Sequence, residues 1–142
     1  MHLDKIETFV VANPPPRHGG RYFIFVRLTT ACGITGVGEI YNATFGPDLC
    51  AAMAVDAFER HFLGSDPHHI EMLWRKTYGA GFTMRPDVTV MGVLSGLEMA
   101  CWDIIGKAAD QPVYQLLGGK VHERLRSYTY LYPPSGDVYP DP

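Results

Sequence analysis

The sequence predicts an α+β fold, a three-stranded antiparallel meander followed by a helical bundle. Three observations carry this. Residues 5–40 hold three short runs rich in Val, Ile, Phe and Thr, divided by proline- and glycine-rich breaks. From residue 51 onward the apolar positions recur every three or four residues. The run "RLRSYTYLY" at 124–132 then returns to strand character before a turn-rich end, as if opening a second unit. With 142 residues, 46% of them hydrophobic and 19% charged, the chain can bury the core of one ordinary domain.

The first strand is read over residues 5–12 and the second over 21–30. Between them "NPPPRHGG" must be a loop: Pro14, Pro15 and Pro16 remove three backbone donors in succession, and Gly19 and Gly20 admit positive φ. Gly33 suits the left-handed position of the short turn before the third strand at 34–40. Ala51, Val55, Phe58 and Phe62 then line one face of a helix ending near Gly64. Asp66 and Pro67 read as cap and first turn of a second helix, with Ile70, Leu73, Trp74, Thr77 and Tyr78 as its buried stripe. The third and longest helix is predicted from about 89 to 107, apolar nearly all round and so buried on several sides. Pro112 starts a short helix whose Val113, Leu116 and Leu117 face inward, and Gly118 stops it.

Twelve basic and fifteen acidic residues are spread evenly, for a net charge of −3, and no cationic block exists to neutralise phosphates or hold a membrane surface. Nucleic acid and membrane are therefore not expected partners. Cys32, Cys50 and Cys101 form no CxxC pair and suit a reducing compartment, and no targeting segment is visible, which makes the cytoplasm the expected location. His2, His61, His68, His69 and His122 show no metal-ligand spacing.

The stretch Ser95-Gly96-Leu97-Glu98-Met99-Ala100, Trp102-Asp103-Ile104, Gly106-Lys107, Pro112-Val113 and Leu116-Leu117-Gly118-Gly119 resembles the signature of the mandelate racemase and muconate-lactonizing branch of the enolase superfamily. "GITGVGEI", "GSDPHHIEMLW" and "LLGGKVHERLRSYTY" extend the resemblance over the rest of the chain. It implies an N-terminal capping domain at 1–124 and, at 125–142, the start of a (β/α) barrel whose remainder would need roughly 200 further residues. The sequence therefore reads as cut at its end. The family abstracts a proton beside a substrate carboxylate with a Lys or His base and holds the resulting enediolate intermediate on Mg²⁺. By that resemblance base and metal ligands lie on the absent barrel, so no catalytic and no metal-binding residue is expected in this chain, and the chain alone is expected to be inactive.

Glu98 and Asp103 are the obvious acids to test against that expectation. Five residues apart on a helix is about 500° of rotation, so their carboxylates diverge by roughly 140° and cannot share a metal or a proton. They read as polar groups tying the helix to backbone amides or to nearby cations, and Lys107 reads as a helix C-terminal cation.

By resemblance, the first loop and the loop after the third strand supply substrate contacts, here residues 14–21 and 41–45. Arg17 and His18 sit in the proline-stiffened loop, where a cation would clamp an anionic or polyhydroxy substrate at low entropic cost; the alternative is a solvated surface pair. Tyr41 and Asn42 offer an aromatic wall and an amide that reads hydroxyls, or ordinary loop capping. Arg85 is a further candidate, or an ion-pair partner. Tyr128, Tyr130 and Tyr132 alternate along the expected strand and share one side, so that Tyr130 or Tyr132, near its C-terminal end, would approach the site unless the two are only core packing.

The function expected is the substrate-capping portion of a Mg²⁺-dependent acid-sugar dehydratase, acting with its own barrel and as a homo-oligomer. A racemase, epimerase or cycloisomerase of the same family is the alternative, since the same intermediate serves all of them. A non-catalytic, free-standing binding module is the alternative from another class.

Overall fold

In the computed structural model, which describes residues 1–42, 45–81, 86–132 and 136–138, the three predicted strands form one antiparallel sheet. They are β1 (Leu3–Ala12), β2 (Tyr22–Thr30) and β3 (Thr35–Ile40), in the order β1-β2-β3. Period-two alternation sets the faces: Ile24, Val26, Leu28 and Thr30 of β2 are buried towards the helices. On the other face Arg27 pairs with Glu7 at 2.8 Å and lies over the Phe9 ring, its carbon 5.3 Å from the centroid. Gly33, at φ 89°, makes the β2–β3 turn.

Among the described residues, α1 (Pro47–Ala57) and α3 (Val88–Ala109) pack on the inner face of the sheet, and α2 (Ile70–Gly79) and α4 (Val113–Leu116) pack on α3. The helix expected to run to Gly64 instead widens after α1 into a π-helical turn, Phe58–Phe62, closed by the Leu63 N–H donating to the Phe58 carbonyl at 2.9 Å. Its fully buried seam is consequently Cys50, Ala54, Phe58 and Phe62, while Ala51 and Val55 are only half-buried. The second helix starts later than expected. Asp66 accepts from the His68 N–H at 3.0 Å and caps a turn, and α2 follows, burying Leu73 and Thr77.

The signature helix α3 is capped by Asp87, which accepts from the N–H groups of Thr89 (3.0 Å) and Val90 (3.1 Å). Its length and apolarity would suffice to cross a bilayer, but Val93, Leu94, Leu97, Ala100, Cys101 and Ile104 are buried in the core of this fold. What brings it so close to the sheet is an absence of side chains. A Cβ on Gly36 would collide with the Ala100 carbonyl, and one on Gly38 with the Gly96 carbonyl, each well inside 3.0 Å. Thus "GVG" on the strand and "SGLEMA" on the helix are two halves of one contact, and the core of Leu3, Ile24, Val26, Leu28, Phe58, Phe62 and the α3 residues forms around it.

Two expectations change. Leu117, expected to face inward, lies past the end of α4 and is exposed. Residues 124–132, expected as a strand, join no sheet ladder among the described residues, and nearly all of their side chains are exposed. A strand needs a neighbour for its N–H and C=O groups, and among the described residues this segment pairs with neither edge strand, β1 or β3.

Candidate functional site

The β1–β2 connection, residues 13–21, is folded back on itself. Prolines leave it few backbone donors, so Asn13 does much of the closure: its Nδ2 donates to the carbonyls of His18 (2.9 Å) and Gly20 (2.7 Å). The Arg17 N–H donates to the Pro14 carbonyl and the Gly20 N–H to the Arg17 carbonyl, both at 3.1 Å. Between these turns Arg17 adopts a φ of 57°. That left-handed conformation costs a non-glycine residue about 1–2 kcal/mol and persists only where its surroundings hold it.

Those surroundings come from the far end of the chain. The Arg17 guanidinium pairs with the Asp137 carboxylate, Nη1 to Oδ2 at 3.0 Å, and both side chains are largely buried, 17% and 19% exposed. The Val138 N–H donates to the Pro16 carbonyl at 3.0 Å. The His18 ring stacks on Tyr132 with centroids 4.3 Å apart and planes 15° from parallel. Tyr132 in turn meets Tyr130 edge-on at 6.4 Å, and Tyr130 meets Tyr128 at 5.9 Å. Three of the predicted residues, Arg17, His18 and Tyr130, are therefore brought into one cluster.

Tyr132 and Asp137 complete that cluster, and Asp137 was not singled out from the sequence. Its only signal there is an acid within a turn-rich segment, and nothing local links it to an arginine 120 positions earlier.

Tyr41 follows β3 and is 83% exposed, with its carbonyl so near Gly92 of α3 that a Cβ there would come within 2.6 Å. Asn42 beside it is half-buried. The base of the proline loop reaches this second loop through Tyr22, whose hydroxyl donates to the Phe45 carbonyl at 3.4 Å. Arg85 lies outside the described residues.

Glu98 and Asp103 are structural. Asp103 Oδ2 accepts from the Val37 N–H at 2.9 Å and from Lys107 Nζ at 2.7 Å, and Lys107 also donates to the Thr35 carbonyl at 2.9 Å. Glu98 Oε1 accepts from the Trp102 indole at 3.4 Å. The two acids thus serve different neighbours, as their spacing requires. Among the described residues no group of three His, Cys, Asp or Glu side chains is placed to hold a metal ion. The described residues do not fit a Mg²⁺ site.

Of the thiols, Cys101 is pushed up to about 12 by burial and then by the nearby Glu98 charge, so it is no nucleophile at neutral pH. Cys32 is exposed, and its thiol is drawn down chiefly by its contact with the Thr30 hydroxyl. A separate apolar groove of about 630 Å³, lined by Leu49, Met53, Ala57, Tyr78 and Val90, holds His61, whose Nδ1 is buried with no hydrogen-bond partner among the described residues. Burial pushes the His61 pKa down and favours the neutral ring. Taken together, the described residues gather a guanidinium, an imidazole and two tyrosine rings around the proline loop.

Comparison with known proteins identifies the family. Residues 5–118 match the model of the mandelate racemase / muconate lactonizing enzyme N-terminal domain. A curated relative, the D-galactonate dehydratase of Verminephrobacter eiseniae, is 38% identical over 131 residues, covering 92% of this chain and 31% of its own length. A D-galactonate dehydratase family member of Pseudarthrobacter chlorophenolicus is 42% identical over 110 residues, covering 76% and 26%. Among solved structures, a mandelate racemase/muconate lactonizing enzyme from Labrenzia alexandrii superposes with a TM-score of 0.90 at 81% identity, over 95% of this chain and 34% of that one. An enolase from Agrobacterium radiobacter, solved with Na and L-malate bound, superposes at 0.74 and 32% identity, over 88% and 30%. The chain spans about a third of the length of the relatives it matches. Its fold, its signature helix and the matched residues agree: the chain belongs to the mandelate racemase / muconate lactonizing enzyme family, of which it carries the N-terminal domain.

Proposed function

We propose that this chain is the substrate-capping portion of an acid-sugar dehydratase, with residues 14–21 and, from the loop after β3, residues 41, 42 and 45 forming a wall over the substrate. The observation that carries this reading is Arg17, a largely buried cation held in a conformation that arginine does not adopt freely, at the turn of a proline-braced loop. Curated relatives across most of the chain are named D-galactonate dehydratase, and the Agrobacterium structure holds L-malate, another hydroxy acid. Arg17 and His18 bind and orient the acid sugar, with Tyr41, Asn42, Arg85 and Tyr130 as further contacts, and the loops exclude water. Mg²⁺ and the base belong to the barrel of the longer enzyme, which works in the cytoplasm as a homo-oligomer. When bound, Mg²⁺ supplies charge stabilisation to the substrate carboxylate.

The test is the full-length protein incubated with Mg²⁺ and a panel of aldonic and aldaric acids, followed by detection of the keto product. Arg17→Ala should lower kcat/KM by about 1.5–3 kcal/mol, roughly ten- to a hundredfold, the range for hydrogen bonds to charged groups in a water-excluded site. Folding stability should barely change. Absence of water loss from every acid sugar, with exchange of the proton beside the carboxylate retained, would favour the second reading. That reading is a racemase, epimerase or cycloisomerase, and the description of the family model itself supports it.

A further inference from the structure

The proline loop is held by contacts of three kinds from one short stretch of chain: an ion pair, a ring stack and a backbone hydrogen bond. We propose that Tyr132 and residues 137–138 form a latch that fixes the loop, with Asp137 as the positioning residue for Arg17. The inference rests on the reading of this loop as a wall over the substrate.

The contacts are independent of one another. The Arg17–Asp137 pair at 3.0 Å uses side chains, the Val138 N–H to Pro16 carbonyl bond at 3.0 Å uses backbone, and the His18–Tyr132 stack at 4.3 Å uses rings. Any one alone is an ordinary contact. Three on residues 16, 17 and 18 in succession define a docked segment. A side chain as long as arginine loses much rotamer freedom when fixed, and a left-handed residue relaxes when its neighbours release it. Asp137 opposes both losses. With the guanidinium shielded from water, its charge-assisted bond is stronger and more directional than a solvated pair. Asp137 also presents a negative charge beside Arg17, so an anionic group reaching the same guanidinium must approach from another side. The latch therefore sets the direction from which the loop can be used.

The experiment uses full-length enzyme and two readouts, of which the first needs no substrate. Trypsin can cut after Arg17 only when the loop leaves its dock, so the initial cleavage rate reports the population of the released loop. Asp137→Asn should raise that rate about tenfold with an unchanged melting temperature, and Asp137→Glu should restore protection. On an acid sugar that the enzyme turns over, Asp137→Asn should raise KM about fivefold with kcat nearly unchanged, a smaller version of the Arg17→Ala effect. Cleavage or KM at the wild-type value in Asp137→Asn, while Arg17→Ala is impaired, would overturn the latch and leave the substrate wall standing. Unimpaired Arg17→Ala would remove the wall itself, and the positioning role of Asp137 with it.

Discussion

An acid in a small domain is informative when its oxygens are already occupied, and Asp66 is such a case. Its carboxylate accepts from the His68 N–H at 3.0 Å and faces the His68 ring at 2.9 Å, and the Met1 ammonium lies 3.4 Å away. The backbone bond first, and the ring second, hold the carboxyl well below the usual carboxylate range. A carboxyl whose folded value is depressed contributes stability that is fully present above its unfolded value of about 4 and is lost as pH falls towards the folded one. Asp66→Asn should therefore be less stable than wild type at neutral pH, and the gap should shrink below about pH 4. Urea titrations of both proteins through the acid range measure it; a gap constant down to about pH 2 would contradict the assignment. Asp103 shows the same logic without a pH argument. Its structural role was readable in sequence, because helical rotation separates it from Glu98 and places Lys107 one turn on. The identity of its other partner, the Val37 amide, was not readable, because it depends on how the strand is seated.

That seating is the element-scale feature on which the fold turns. Gly36 and Gly38 let β3 touch the backbone of α3 at Ala100 and Gly96, where neither partner can move aside as a flexible side chain would. Gly38→Ala should accordingly destabilise by about 3 kcal/mol or more, the scale of overpacking against a fixed neighbour. Gly79, the last residue of α2, would place a Cβ in open space. Gly79→Ala should then be neutral or stabilising by up to about 1 kcal/mol through helix propensity. Chemical denaturation of the two variants side by side checks the contrast, and equal effects would mean that the close approach is not what requires glycine at 38. The three strands and the long helix were legible because each carries its own period and its own breakers. Less legible were the π-helical turn and the late start of α2, where the difference between four- and five-residue hydrogen bonds, or between a capped turn and a capped helix, lies in tertiary packing rather than in residue type.

At the scale of the molecule, the site divides in the same way. The proline loop announced itself by composition, and Arg17 and His18 within it were identifiable as the polar groups on a stiff support. Their partners were hidden, since Tyr132 and Asp137 reach them across more than a hundred residues of sequence. The stretch that connects the helices to those partners has an apolar character that the domain itself does not use: Leu117, Val121, Leu125, Tyr128 and Leu131 are all strongly exposed. Among the described residues the stretch joins no sheet ladder, so that its backbone can take a neighbouring strand, and Val88 and Met99 of α3 add further exposed apolar surface. Single exposed apolar residues need no explanation, but five of them within fifteen residues, on backbone that joins no ladder among the described residues, call for a cover, which in the proposed enzyme is the barrel. The 142-residue chain on its own should therefore self-associate as its concentration rises and bind a hydrophobic dye, whereas the full-length protein at equal molarity should bind little. Sedimentation velocity and dye fluorescence on the two proteins make the comparison. A chain that stays strictly monomeric and dye-silent would show that this surface needs no partner, and the capping role would then have to rest on the loops alone.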